Sequence, residues 1–144
     1  MLCCFDARIR PATDDLLRRQ LIDRPDMIVI AGGALRLASP RNNFDRDFIL
    51  QQIALGVQLH QTKRLLLMSH SDCATYGGLA SFNHNADKER AHHRQQLCAA
   101  SAIAQAAFPA LAIERLFVTF DGVFSVEDPE CAESDSSAAR LRAT

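Results

Sequence analysis

The sequence predicts an α/β domain: a three-layer sandwich around a mainly parallel four-stranded sheet of order 2-1-3-4. Four short, nearly continuous apolar runs occur, at Leu2 to Ala7, Met27 to Ala31, Leu65 to His70 and Leu116 to Asp121. Runs of this kind suit strands buried on both faces of a parallel sheet. Segments of helical periodicity alternate with them, so right-handed crossovers are the expected connections. The 144 residues, 48% of them hydrophobic, suffice for one core.

The elements follow in order. After the first strand, Thr13 is placed to cap a helix through Asp14, Asp15, Leu16 and Leu17, with Leu21 on the same face. The second run is rich in Ile and Val, as strands are. Asn42 or Asn43 can cap a longer helix in which Ile49, Ile53 and Val57 recur at helical spacing. Gly56 inside it lowers helix propensity and points to a close packing contact. The third run leads into His70. A further helix is expected from about Asp87 to Ala107, with Leu97, Ala100, Ala104 and Ala107 on one face and Pro109 past its end. The fourth run completes the sheet. One domain then spans residues 1–126. Residues 127–144, rich in Ser, Ala and charge, are expected to form a flexible or loosely docked tail.

Composition narrows the function. A net charge of −1 gives no electrostatic reason to expect nucleic acid or an anionic membrane as partner. No apolar run approaches the ~20 residues that span a bilayer. Asp6 puts charge too early for a signal peptide, so a cytoplasmic setting is expected. In that setting the five cysteines are better explained by metal binding or thiol chemistry than by disulfides. Cys3 reads as a core residue, and Cys98 and Cys131, without ligand spacing, as core and tail residues.

Two motifs carry chemistry. Cys4-Phe5-Asp6-Ala7-Arg8 closes the first strand, and His70-Ser71-Asp72-Cys73 closes the third. In a 2-1-3-4 sheet both strand ends open on the crevice where strand order reverses, the usual ligand site of such sheets. Extended backbone would set Cys4, Asp6 and Arg8 on one face, where Arg8 could pair with Asp6 and keep it ionised. A turn after His70 would let His70 and Cys73 reach one ion. Two thiolates and one imidazole form a soft set that suits Zn²⁺, with one position left open.

The pattern Cys-x-Asp-x-Arg followed by His-x-x-Cys resembles the zinc signature of the β-class carbonic anhydrases. The resemblance covers roughly residues 2 to 78. It implies Cys4, His70 and Cys73 as zinc ligands, and Asp6 and Arg8 as a catalytic pair that controls the fourth position. Asp26 to Gly33 is similar to that family's second strand and Ala-Gly turn. Val29-Ile30 stands where many members carry Arg-Asn, and Ala74 where a Gly commonly follows the second cysteine. The family's N-terminal helical arm, which wraps a partner subunit, has no counterpart before the first strand. Uncovered sheet edges and helix faces then predict a homodimer or larger homo-oligomer.

The resemblance implies zinc-dependent, reversible hydration of carbon dioxide to bicarbonate. The same metal set would serve a hydrolase of another small heteroallene, carbon disulfide or carbonyl sulfide. A non-catalytic zinc domain would arise if Asp6 closed the fourth position. Thiol redox chemistry at Cys3-Cys4 lacks Cys-x-x-Cys spacing. Phe5 and Leu35 are candidates for an apolar pocket wall. Asp72 reads as a solvent-exposed turn residue, Gly77-Gly78 as a tight turn, and His84, His92 and His93 as residues of a solvated face.

Overall fold

The computed structural model describes residues 1–127 and Cys131; the remainder of the expected tail lies outside the described residues. Among the described residues, five strands form one sheet: β1 (Leu2–Cys3), β2 (Ile28–Val29), β3 (Arg64–His70), β4 (Ala112–Thr119) and β5 (Gly122–Ser125). Their order is β2-β1-β3-β4-β5. The first four are parallel, and β5 returns antiparallel to β4. The expected 2-1-3-4 order is therefore present, extended by a strand that no apolar run announced. That strand exists because the chain reverses at Asp121. The Thr119 hydroxyl accepts the Asp121 N–H at 3.2 Å and donates to the Gly122 carbonyl at 3.3 Å. Phe124 is exposed, so β5 lacks the continuous apolar character by which buried strands are recognised.

Among the described residues, four helices surround the sheet: α1 (Arg10–Arg19), α2 (Leu35–Ala38), α3 (Asn43–His60) and α4 (Ala86–Ala107). α1 begins earlier than a Thr13 cap would allow, with Pro11 in its first turn, where a missing N–H costs nothing. Thr13 is buried inside the helix, and its hydroxyl donates to the Ile9 carbonyl at 2.9 Å. α3 starts where expected: the Asn42 side chain accepts the Asp45 N–H at 3.0 Å. α4 is capped likewise by Asn85, which accepts the Lys88 N–H at 2.9 Å. Gly56 makes no close approach, because a Cβ there would meet Asp26 and Thr62 at an ordinary 3.5 Å.

Two apolar clusters define the layers. One gathers Leu65 and Leu67 of β3 with Leu37, Ile49, Ile53 and Leu97 of α2, α3 and α4. The other gathers Leu66 and Met68 with Ile9, and packs Leu16 and Leu17 of α1 against them. The period-two alternation of β3 thus feeds both clusters. Cys98 of α4 is joined to Cys131 in a disulfide with Cα atoms 5.4 Å apart. This corrects the expectation that both are unpaired. A separation of 33 residues carries no sign of pairing in the sequence, whereas the folded distance suits a bridge.

The turn after β2 rests on the ends of β1 and β3. Ala34 donates its N–H to the Met68 carbonyl at 3.1 Å. Gly33 adopts φ +53°, and a Cβ there would lie 2.5 Å from the Met68 oxygen and 3.0 Å from the Cys4 nitrogen. Gly33→Ala is expected to destabilise the fold by about 2 kcal/mol or more, from the left-handed backbone and the clash together. Gly122→Ala, with nothing within 4 Å of the added methyl, should change stability by only about 0.5 kcal/mol. Urea unfolding of the two variants checks the contrast.

Candidate metal centre

Strand pairing releases β1 at Cys3, sooner than the apolar run suggests. The Ile30 N–H donates to the Cys3 carbonyl at 3.0 Å. Asp6 then caps a 3-10 turn, Ala7–Ile9, by accepting the Arg8 N–H at 3.0 Å. The expectation that strand alternation sets Cys4, Asp6 and Arg8 on one face is therefore corrected, because the strand ends at Cys3. The turn instead folds Arg8 back onto Asp6. At the end of β3 the chain turns through Asp72, at φ +51°, and Cys73 leads into a second 3-10 turn, Ala74–Tyr76. Gly77 and Gly78 follow at φ +90° and +66°, giving the tight turn their sequence predicts.

These two turns bring together the three expected donors. One ligand atom each from Cys4, His70 and Cys73 lies within 4.8 Å of the others, and all three residues are buried. The His70 ring faces the Ser71 carbonyl with Nδ1 at 2.9 Å. With the proton on Nδ1 directed there, the Nε2 lone pair is free, as metal-ligating imidazoles require. Nε2 is buried without a conventional hydrogen-bond partner. The Gly32 N–H donates to the Cys4 sulfur at 3.4 Å.

The charge state of the cluster suits a cation. A hydrogen bond from the Cys73 thiol, opposed by burial and helped by His70 and the Asp6 and Gly32 N–H groups, pulls the Cys4 thiol far below its ordinary range. Cys73 is pushed up, first by the Cys4 sulfur and then by burial. Burial pulls the His70 imidazolium down, but the Cys4 sulfur and the Ser71 carbonyl leave it above its ordinary value. One anionic sulfur is thus stabilised, and a second requires additional positive charge. A divalent cation supplies that charge, and two sulfurs with one aromatic nitrogen are the donors a thiophilic metal takes.

Beside the cluster, Arg8 grips Asp6 side-on. Nε lies 3.1 Å from both carboxylate oxygens and Nη2 lies 2.7 Å from Oδ2. The Arg8 guanidinium, against a small effect of burial, holds the Asp6 carboxyl down to about 2. Asp6 Oδ2 stands 4.0 Å from His70 Nε2. Asp72 is half-exposed as expected of a turn residue, yet it is also paired: Arg8 Nη1 reaches its Oδ2 at 2.9 Å.

Other residues stand differently from the sequence reading. Phe5 is 66% exposed, so it does not face the core. Leu35 is half-buried, against Gly32. His93 is fully buried rather than solvated, with its ring centroid 4.1 Å from that of Tyr76 and 5.1 Å from that of Phe117. Burial, helped by His92 and His70, pushes its imidazolium down to about 3. Glu89 is also buried and accepts the Asp72 N–H at 2.7 Å. Its one sequence sign is its place in the first turn of α4, where any carboxylate is favoured by the helix dipole.

The chain matches the family described as "Putative carbonic anhydrase" over residues 1–127, and it belongs to that family. An uncharacterized protein of Rickettsia conorii is 28% identical over 127 residues, covering 85% of this chain and 68% of the relative. Another, of Rickettsia bellii, is 26% identical over 126 residues, covering 85% and 77%. No solved structure matches the chain. Among the described residues, no helix is long and apolar enough to cross a membrane.

The Asp6–Arg8 pair has a definite pH signature. Because the folded carboxyl is held low, the pairing favours the folded state above the unfolded carboxyl's ~3.9. It loses that contribution as pH falls through about 2. Carbon-13 NMR of the metal-free protein is expected to show Asp6 titrating near that low value. In Arg8→Ala the titration should move up toward ~3.9.

Proposed function

We propose that this member of the family described as "Putative carbonic anhydrase" hydrates carbon dioxide reversibly to bicarbonate, using one Zn²⁺ held by Cys4, His70 and Cys73. The observation that carries the reading is a buried Cys–His–Cys donor set with an ionised, arginine-held carboxylate at its edge. Bound there, the ion lowers the pKa of water and supplies a nucleophile at moderate pH.

The chain's own residues do the rest. The Ser71 carbonyl fixes the His70 tautomer by accepting from Nδ1. The Gly32 N–H supports negative charge on the Cys4 sulfur. Asp6, kept ionised by Arg8, can only accept hydrogen bonds. A water whose proton points at Asp6 turns a lone pair away from it, toward a carbon dioxide molecule on the other side. Arg8 acts through Asp6, holding both carboxylate oxygens in one orientation. We place this unit within residues 1–126.

We also propose that the chain self-associates. Phe44, Phe48, Leu55 and Leu59 recur at helical spacing on α3 and are all exposed, and Met27 and Val29 are exposed along the open edge formed by β2. Such a stripe beside an unpaired sheet edge supports a second copy as its cover. Light scattering should read a dimer or larger; a monomer at all concentrations would rule this out.

Zinc-loaded protein is expected to bind about one ion per chain and to accelerate hydration in a stopped-flow indicator assay. Cys4→Ser, His70→Ala and Cys73→Ser should each lose most of the zinc. Asp6→Asn should keep the zinc and lower kcat by about 100-fold. A zinc-replete wild type with no hydration activity from mildly acidic to alkaline pH would overturn the proposal. Hydrolysis of carbonyl sulfide by that same sample would reassign the substrate.

A further inference from the structure

Arg8 binds two carboxylates, and the function proposed above employs one. The other is Asp72, which takes Nη1 on its Oδ2 at 2.9 Å and Nη2 on its main-chain carbonyl at 3.0 Å. Asp72 is itself held from two sides. The Leu79 N–H donates to its Oδ1 at 3.0 Å, and its own N–H donates to Glu89 at 2.7 Å. Glu89 is 2% exposed, and His93 Nε2 stands 4.0 Å from its Oε1.

We propose that Asp72, anchored by Glu89, is a positioning residue that keeps Arg8 turned side-on to Asp6 and so keeps Asp6 off the metal-binding cluster. The proposal rests on the zinc reading of that cluster. Arg8 is half-exposed, and an exposed arginine held by a single carboxylate samples several rotamers for little gain. A second anchor, 64 residues away in sequence, removes that freedom. It takes Nη1 and one direction of Nη2, which leaves Nε and the other direction of Nη2 for Asp6. Asp6 Oδ2 is only 4.0 Å from His70 Nε2, so a small rotation brings the carboxylate to the cluster as a further ligand. What opposes that rotation is the side-on grip of Arg8.

The anchoring by Glu89 has the character of a built feature. A carboxylate buried with a neutral histidine beside it is costly to place in a core. Here it accepts the N–H of a residue held at φ +51°, a conformation that non-glycine residues seldom adopt. Buried Glu89 of α4 thereby fixes the backbone of a surface turn whose side chain reaches Arg8.

Asp72→Asn tests this. The substitution keeps an oxygen for the Leu79 N–H and the main-chain N–H for Glu89. It puts an amide NH₂, a donor, where Arg8 Nη1 now finds an acceptor. In the Co²⁺-substituted protein, the visible spectrum and its response to azide report whether the fourth position is open. With Asp72→Asn we expect unchanged Co²⁺ stoichiometry and melting temperature. Azide binding should weaken about tenfold or more and recover in Asp6→Asn/Asp72→Asn. Wild-type azide affinity and spectrum in Asp72→Asn would overturn the proposal. If that variant does not fold, Asp72→Ser, which keeps a hydroxyl acceptor for Leu79, gives the same comparison. Metal-free protein separates the two readings. There the Arg8 Nε–H resonance should be protected from exchange in wild type and lose that protection in Asp72→Asn. Failure of the wild type to bind Co²⁺ would sink the zinc reading alone, whereas unchanged Arg8 protection would sink the positioning role whatever the metal.

Discussion

From Leu65 to His70, β3 exposes no side chain to water. Its main-chain groups must be satisfied by β1 and β4, and its two faces by separate apolar layers. The helices α2, α3 and α4 on one side and α1 on the other answer that demand. Because β1 and β3 run in the same direction, both end at one edge of the sheet, and Cys4 and His70 meet there. Burial of β3 continues through Ser69 and His70, so the strand delivers an imidazole into a dry setting with its Nε2 unpartnered. A buried polar atom in that condition is costly unless a partner is supplied. The neighbouring sulfurs and Asp6 show where that partner belongs.

Strands buried on both faces were the most legible elements. β3 differs from its apolar run by Arg64 alone. β1 and β2 are shorter than their runs, since Cys4, Phe5, Ile30 and Ala31 are apolar residues of turns that leave the ladder. β4 starts earlier than its run, because Glu114 and Arg115 sit at a sheet end where charges reach solvent. α3 was legible through its cap, since Asn42 satisfies the Asp45 N–H, and α4 through its periodicity, whereas Thr13, read as a cap, lies inside α1. The four-residue α2 has no room for a periodic pattern.

The site was legible in its donors and opaque in its supports. Cys4, His70 and Cys73 belong to short motifs at strand ends, and Asp6 and Arg8 are near neighbours whose charges suggest their pairing. Asp72 lay in plain view between two donors, but its bond to Arg8 depends on a left-handed turn that the sequence does not mark. Glu89 and His93 were hidden for another reason. They lie among Lys88, Arg90, His92 and Arg94, a polar stretch that reads as a solvated face. α4 nevertheless turns these two inward, against Asp72, Tyr76 and Phe117. The Cys98–Cys131 bridge was opaque as well, since spacing alone does not disclose which cysteines meet.

The interior place of β1 governs the order in which the sheet is completed during synthesis. Leu2 is hydrogen-bonded between β2 and β3 in register with Leu67, so β1 leaves the ribosome as an interior strand whose second neighbour emerges much later. Until β3 appears, β1 can at most pair with β2, as a two-residue ribbon too small to persist in water. Cys4 therefore waits as an accessible thiol while Leu65 to Cys73 are being made, and closure of so long a loop is among the slower events in folding. A nascent chain that meets oxidant or stray metal in that interval carries exposed sulfurs which the finished fold hides. The architecture thus sets a window of chemical vulnerability that ends only when β3 slides in beside β1.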